Sequence, residues 1–101
     1  MSKVIFAVQY EIEAAKRDVY LSSLPELKSL ISAEGLESYS VFELKGKPNS
    51  FEEMFVFSSY EAYDAYDDAE NERLSMLISK IETLKVNNTT KYNVLTEVTS
   101  N

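Results

Sequence analysis

Residues 51–66 read FEEMFVFSSYEAYDAY, from Phe51 to Tyr66, and the repeat changes part-way along. The opening residues alternate, with Phe51, Phe55 and Phe57 on one side and Met54 and Val56 on the other. That is the two-residue period of a strand. Ser58-Ser59 follows, and Ser58 stands three residues before Glu61, the spacing of a capping box. Past it the spacing becomes helical, so a strand feeds directly into a helix whose start is acidic and rich in tyrosine.

The stretch before it supplies the strands that pair with this one. Lys3 to Ile12 puts Val4, Phe6, Val8, Tyr10 and Ile12 on one face, with Ile5 and Ala7 on the other before Gln9 and Glu11. A strand apolar on both faces for half its length is central, or is covered by another chain. Ala14 to Ile31 carries Val19, Leu24, Leu27, Leu30 and Ile31 at helical spacings. Ser23 and Glu26 form a second capping box, which puts Pro25 in a first turn and predicts a kink or restart near Ser23. Gly35 takes the place of a left-handed C-cap. Leu36 to Lys45 is a second strand, with Ser38, Ser40, Phe42 and Leu44 opposed to Tyr39 and Val41, and Lys45 to Ser50 is a hairpin loop.

After residue 66 the helix continues to about Lys85 on a stripe of Leu74, Leu77, Ile78, Ile81 and Leu84, with Asp67-Asp68 as its breaking point. Lys91 to Val98 alternates as a last strand. The order strand, helix, strand, strand, helix, strand predicts an α+β class: a ferredoxin-like βαββαβ sandwich in one domain, residues 1–101. Its antiparallel four-stranded sheet carries both helices on one face. The other face is assigned Ile5, Ala7, Tyr39, Val41, Met54, Val56 and Leu95. It is too apolar for solvent, and a homodimer through the open sheet face covers it.

Composition excludes several functions. The chain has no Cys, His or Trp, hence no disulfide or thiolate chemistry and neither the usual general base nor the usual metal ligand. No cofactor and no metal are expected. A net charge of −7 argues against nucleic acid. No apolar run approaches the roughly 20 residues of a membrane span. The start MSKVIFAVQYEIE is too soon acidic for a secretory signal, which points to the cytoplasm.

In layout the whole chain resembles the dimeric α+β barrel superfamily, which includes the antibiotic-biosynthesis-monooxygenase-like proteins. Phe55-Val56-Phe57-Ser58-Ser59-Tyr60-Glu61-Ala62-Tyr63 is similar to the aromatic-Ser-aromatic-Glu-Ala start of their second helix, and Tyr92-Asn93-Val94-Leu95 to their last strand. The resemblance implies a ferredoxin-like dimer. It leaves function open among cofactor-free oxygenases, haem degraders, isomerases and proteins without a known role. Haem degraders of this group usually carry a ligating His and the oxygenases often an Asn-Trp-His set; this chain has neither His nor Trp.

Eight acids lie between Glu52 and Glu72 with no Lys or Arg among them. Asp64, Asp67 and Asp68 could offer oxygen ligands to a hard cation, but a solvated helix start explains them as well. Glu11 and Glu13, at the end of the first strand, are candidate bases only if buried. Tyr60, Tyr63 and Tyr66 recur every three residues, either as core filler or as an aromatic wall. In the second case Phe6, Tyr10, Phe42 and Phe55 form the floor of a ligand pocket and Tyr63 and Tyr66 its wall, suited to a small aromatic or apolar molecule. The void is expected beneath this helix start rather than beneath Leu77 and Ile81. The missing residue types favour a homodimeric binding or interaction module without catalysis. The alternative is a cofactor-independent monooxygenase- or isomerase-like enzyme acting on a small aromatic substrate.

Overall fold

Strand β1 (Val4–Glu11) pairs with a strand on each side, and both partners run antiparallel to it. The computed structural model describes residues 2–98. After β1 come α1 (Arg17–Leu30), β2 (Leu36–Glu43), β3 (Ser50–Phe57), α2 (Tyr60–Ala65), α3 (Glu72–Glu82) and β4 (Lys91–Thr96). Short 3₁₀ turns at Ala14–Lys16 and Asp68–Glu70 lead into α1 and α3. The strand order β2-β3-β1-β4 is that of a ferredoxin-like sheet.

The register decides which side chains meet the helices. Val4 pairs with Phe57, Phe6 with Phe55, Val8 with Glu53 and Tyr10 with Phe51. These inward positions join Tyr20 and Leu27 of α1 and Leu74, Leu77 and Ile81 of α3 in one core. Ile5 opposite Val56 and Ala7 opposite Met54 point to the other face. On β2 the expectation is reversed. Tyr39 pairs with Phe55 and Val41 with Glu53, so both face the helices, and Phe42, opposite Glu52, lies on the open face and is 56% exposed. The loop closes Glu43 against Phe51, and that pairing puts the odd-numbered residues of β2 inward.

Arg17 reinforces the loop. Its guanidinium donates to both oxygens of Glu43, at 2.5 and 2.9 Å, and to Oδ1 of Asn49 at 3.0 Å. Glu43 also accepts from the Asn49 amide, so the hairpin is tied to the start of α1.

Helix boundaries depart from the capping motifs in three places. α1 runs unbroken through Pro25, because the Ser23 hydroxyl donates to the Val19 carbonyl inside the helix instead of capping a new one. Ser59, not Ser58, is the N-cap of α2, its Oγ accepting from the Ala62 amide at 3.1 Å. Gly35 is not a C-cap either. It takes φ +81° in a turn closed by the Leu36 amide on the Ala33 carbonyl, and a Cβ there would lie 2.4 Å from the Ala62 Cβ. The turn therefore needs glycine twice over, for its backbone and for the approach of α2. The second helical region divides at Tyr66–Asp67, as the Asp67-Asp68 pair suggests, and Asn71 caps α3 by accepting from the Leu74 amide.

Candidate functional site

Glu53 is an acid at an inward position of a core strand. Its neighbours at the same phase are Phe51, Phe55 and Phe57, all buried. The Tyr39 hydroxyl donates to Glu53 Oε1 at 2.6 Å. Behind it the hydroxyls of Tyr10 and Tyr20 share a buried hydrogen bond of 2.8 Å. Lys85 follows α3 where Ile12 and Lys85 form an isolated bridge and the Val86 amide donates to the Glu11 carbonyl. Its ammonium sits 4.0 Å from the centre of the Tyr10 ring and pairs with Glu82, with only 9% of the side chain exposed.

Glu53 and Lys85 border a cavity of about 210 Å³ between the sheet and α3. Phe6, Phe55 and Tyr66 supply its aromatic walls and Ile78 and Ile81 its aliphatic one, while Glu53 and Lys85 bring charge to it. Phe6 is stacked with Tyr92 of β4, centres 6.0 Å apart and planes 9° from parallel. Asp68 and Glu82 stand at the same cavity and make its surroundings acidic.

The chemistry of the site follows from desolvation. Glu53 keeps some accessible surface because it lines the cavity, yet protein atoms crowd its carboxyl. Burial raises its pKa above the ordinary carboxylate range. Hydrogen bonds from Tyr39 and Tyr10 and the Lys85 charge oppose the rise, and Glu82 adds to it. Burial, and then the nearby acids Asp68, Glu53 and Asp67, push the Tyr66 phenol up to about 12. The Tyr66 hydroxyl is buried and has no hydrogen-bond partner among the described residues. A buried hydroxyl without a partner carries a desolvation cost.

The structure gathers only part of the residue set read from the sequence. Phe6, Phe55 and Tyr66 border the cavity together. Tyr63 packs against Phe6 and Phe57 and borders a shallower depression with Tyr66, Asp64, Asp67 and Asp68. Tyr10 is fully buried beneath, its hydroxyl on Tyr20. Phe42 is on the opposite face of the sheet and takes no part. The void also reaches beneath Ile81, where dense packing is expected from the stripe. Glu11 and Glu13 are exposed and away from it. No cluster of three or more acids among the described residues is placed to hold a metal ion.

Sequence reasoning missed Glu53 and Lys85. The signal for Glu53 was present, since it occupies the inward phase of Phe51-Glu52-Glu53-Met54-Phe55, but it sits second in an acid-rich run that reads as surface. Lys85 has no such signal, because its direction is set by the pairing with Ile12.

With four antiparallel strands and the helices on one face, the molecule is an α+β protein of ferredoxin-like fold. Several solved structures that share this fold with it are described as antibiotic biosynthesis monooxygenases or putative ones. One solved structure, described as an antibiotic biosynthesis monooxygenase, is 22% identical, with TM-score 0.69 and 100% of both chains covered. SnoaB from Streptomyces nogalater, a cofactor-independent oxygenase, is 13% identical over 97% of this chain and 95% of its own, with TM-score 0.72. A conserved protein from Methanosarcina mazei Go1 is 11% identical over 94% of this chain and 92% of its own, with TM-score 0.77. No family model matches the chain, and no curated protein matches it by sequence.

Proposed function

We propose that the protein is a cytoplasmic homodimer, joined through its open sheet faces, in which each chain binds one small, flat, weakly polar molecule. The observation that carries this reading is the cavity of about 210 Å³ walled by the rings of Phe6, Phe55 and Tyr66. It is smaller than the roughly 300–1,000 Å³ of common ligand sites, which limits the ligand to one ring or a fused pair. Phe6, Phe55 and Tyr66 offer ring faces and edges to such a body, and Asp68 and Glu82 disfavour an anion. The dimer is supported by Ile5, Met54, Val56 and Leu95, which share the helix-free face, where Leu95 is 49% exposed.

Two measurements test the reading. Titration with neutral bicyclic probes such as 2-naphthol is expected to show one site per chain. Ile78→Trp, which fills the cavity from α3, should weaken binding at least tenfold with the fold intact; unaltered binding in that variant places the ligand elsewhere. Light scattering should give a dimer at micromolar concentration, with Val56→Asp dissociating it. A monomer in the unsubstituted protein removes the sheet-to-sheet part.

A second reading, a cofactor-independent enzyme acting on a small aromatic substrate, is favoured by one observation. It is the Glu53 carboxyl, held by Tyr39 and bordering the same cavity. SnoaB, of the same fold, is a cofactor-independent oxygenase.

A further inference from the structure

We infer that Glu53 is the acid–base group of a proton-transfer site in this cavity, acting on a small carbonyl compound with an acidic C–H next to the carbonyl. The inference rests on the binding reading above and adds a reaction to it. Three placements support it. The first is a carboxyl at an inward strand position, with one oxygen engaged by Tyr39 and the side chain bordering empty space. The second is the ring of Tyr66, which with Phe6 and Phe55 gives the same cavity its aromatic walls. The third is Lys85, a cation largely withdrawn from solvent at that cavity. A base and a cation at one apolar space are parts an enolisation needs: one takes the proton and the other steadies the charge that develops on oxygen.

The step balances without any oxidant or cofactor. The C–H bond beside the carbonyl breaks and its proton passes to a carboxylate oxygen of Glu53. The electron pair moves through the C–C bond onto the carbonyl oxygen, giving an enolate that lies within the field of the Lys85 ammonium. Glu53 then returns the proton. Return to the same carbon gives exchange with solvent; in an unsaturated ketone, return two carbons further along gives an isomer. Burial also suits the carboxyl to the task, because a desolvated carboxylate is a stronger base than an exposed one.

The desolvation that strengthens Glu53 acts on a site whose other charges are fixed by the fold. Glu82 neutralises much of the Lys85 charge, so the cation steadies a developing enolate without permanently attracting anions. Tyr39 is a positioning residue: its hydroxyl fixes the orientation of the carboxyl.

The probe is 2-tetralone in D₂O, a bicyclic ketone whose C1 methylene signal disappears from the proton spectrum as it exchanges. Saturation transfer from protein to ligand reports binding in the same sample. The expected result is binding together with exchange faster than in buffer of the same composition. Glu53→Gln should retain binding and lose at least tenfold of the accelerated rate. Binding without acceleration in the unsubstituted protein overturns the proton-transfer inference and leaves the binding reading standing, whether or not the variants fold. A full rate in Glu53→Gln also overturns it. Acceleration that persists in Ile78→Trp, with the cavity filled, does the same. Absence of binding by both 2-tetralone and 2-naphthol overturns the binding reading and this inference with it.

Discussion

Two glutamates respond to the fold in opposite directions. Glu43 is held at about 2 by hydrogen bonds from Arg17 and the Asn49 amide, well below the ordinary carboxylate range. Glu53 is raised, with burial as the chief cause. For Glu43 the folded state holds its proton less tightly than the unfolded chain. Its contribution to stability is therefore present above the ordinary glutamate range and is lost as pH falls toward 2. For Glu53 the folded state holds its proton more tightly, so stability is greatest below the ordinary range and declines as pH rises through the raised folded value. The two together predict a maximum of stability on the acid side of neutrality. Urea denaturation across pH should show it, and Glu53→Gln should flatten the decline on its alkaline side; an unchanged decline means another group is responsible. At this scale the sequence is a partial guide. Alternation puts Phe6, Phe55 and Glu53 on one side of their strands, but nothing in composition marks one of seventeen acids as the buried one.

At the scale of the element, the strand-to-helix change at residues 57–60 was legible and its cap was displaced by one. Ser58 and Ser59 are both good capping residues, and the glutamate at 61 favours Ser58 in a pattern reading. The fold selects Ser59 because the Ser58 amide is already committed to the Gly35 carbonyl, at 2.8 Å, which holds Ser58 in line with the turn before β2. Ser59→Ala should cost about 1 kcal/mol and Ser58→Ala much less, as read from chemical denaturation. A larger loss at Ser58 would contradict the assignment. The same lesson holds in α1, where the pattern of a capping box at Ser23 was overridden by packing: Tyr20, Ser23 and Leu27 form its buried face, and an unbroken helix keeps them in line. On β2 the alternation is plain, but its phase depends on loop length, and Tyr39 and Phe42 offered equally aromatic choices.

At the scale of the molecule, the order of elements and the antiparallel sheet follow from the sequence because each local period agrees with the global arrangement. The cavity does not, since voids arise from how side chains of three separated segments fail to fill space. β4 differs from the rest of the sheet. All six of its residues are exposed, and its ladder is with β1 alone, where Val4 pairs with Thr96 and so joins the two ends of the chain. Contacts this distant in sequence form only after a large loop has closed, and their loop entropy is recovered late in folding. β4 is thus the strand that completes the sheet last and leaves it first. Amide hydrogen exchange should find the β4 amides bonded to β1 losing protection well before those shared by β1 and β3. Equal protection would mean that the sheet opens only as a whole. Tyr92 travels with β4, so each fraying event also lifts the ring stacked on Phe6. The rate at which the two ends of the chain part then sets how often the interior meets the outside.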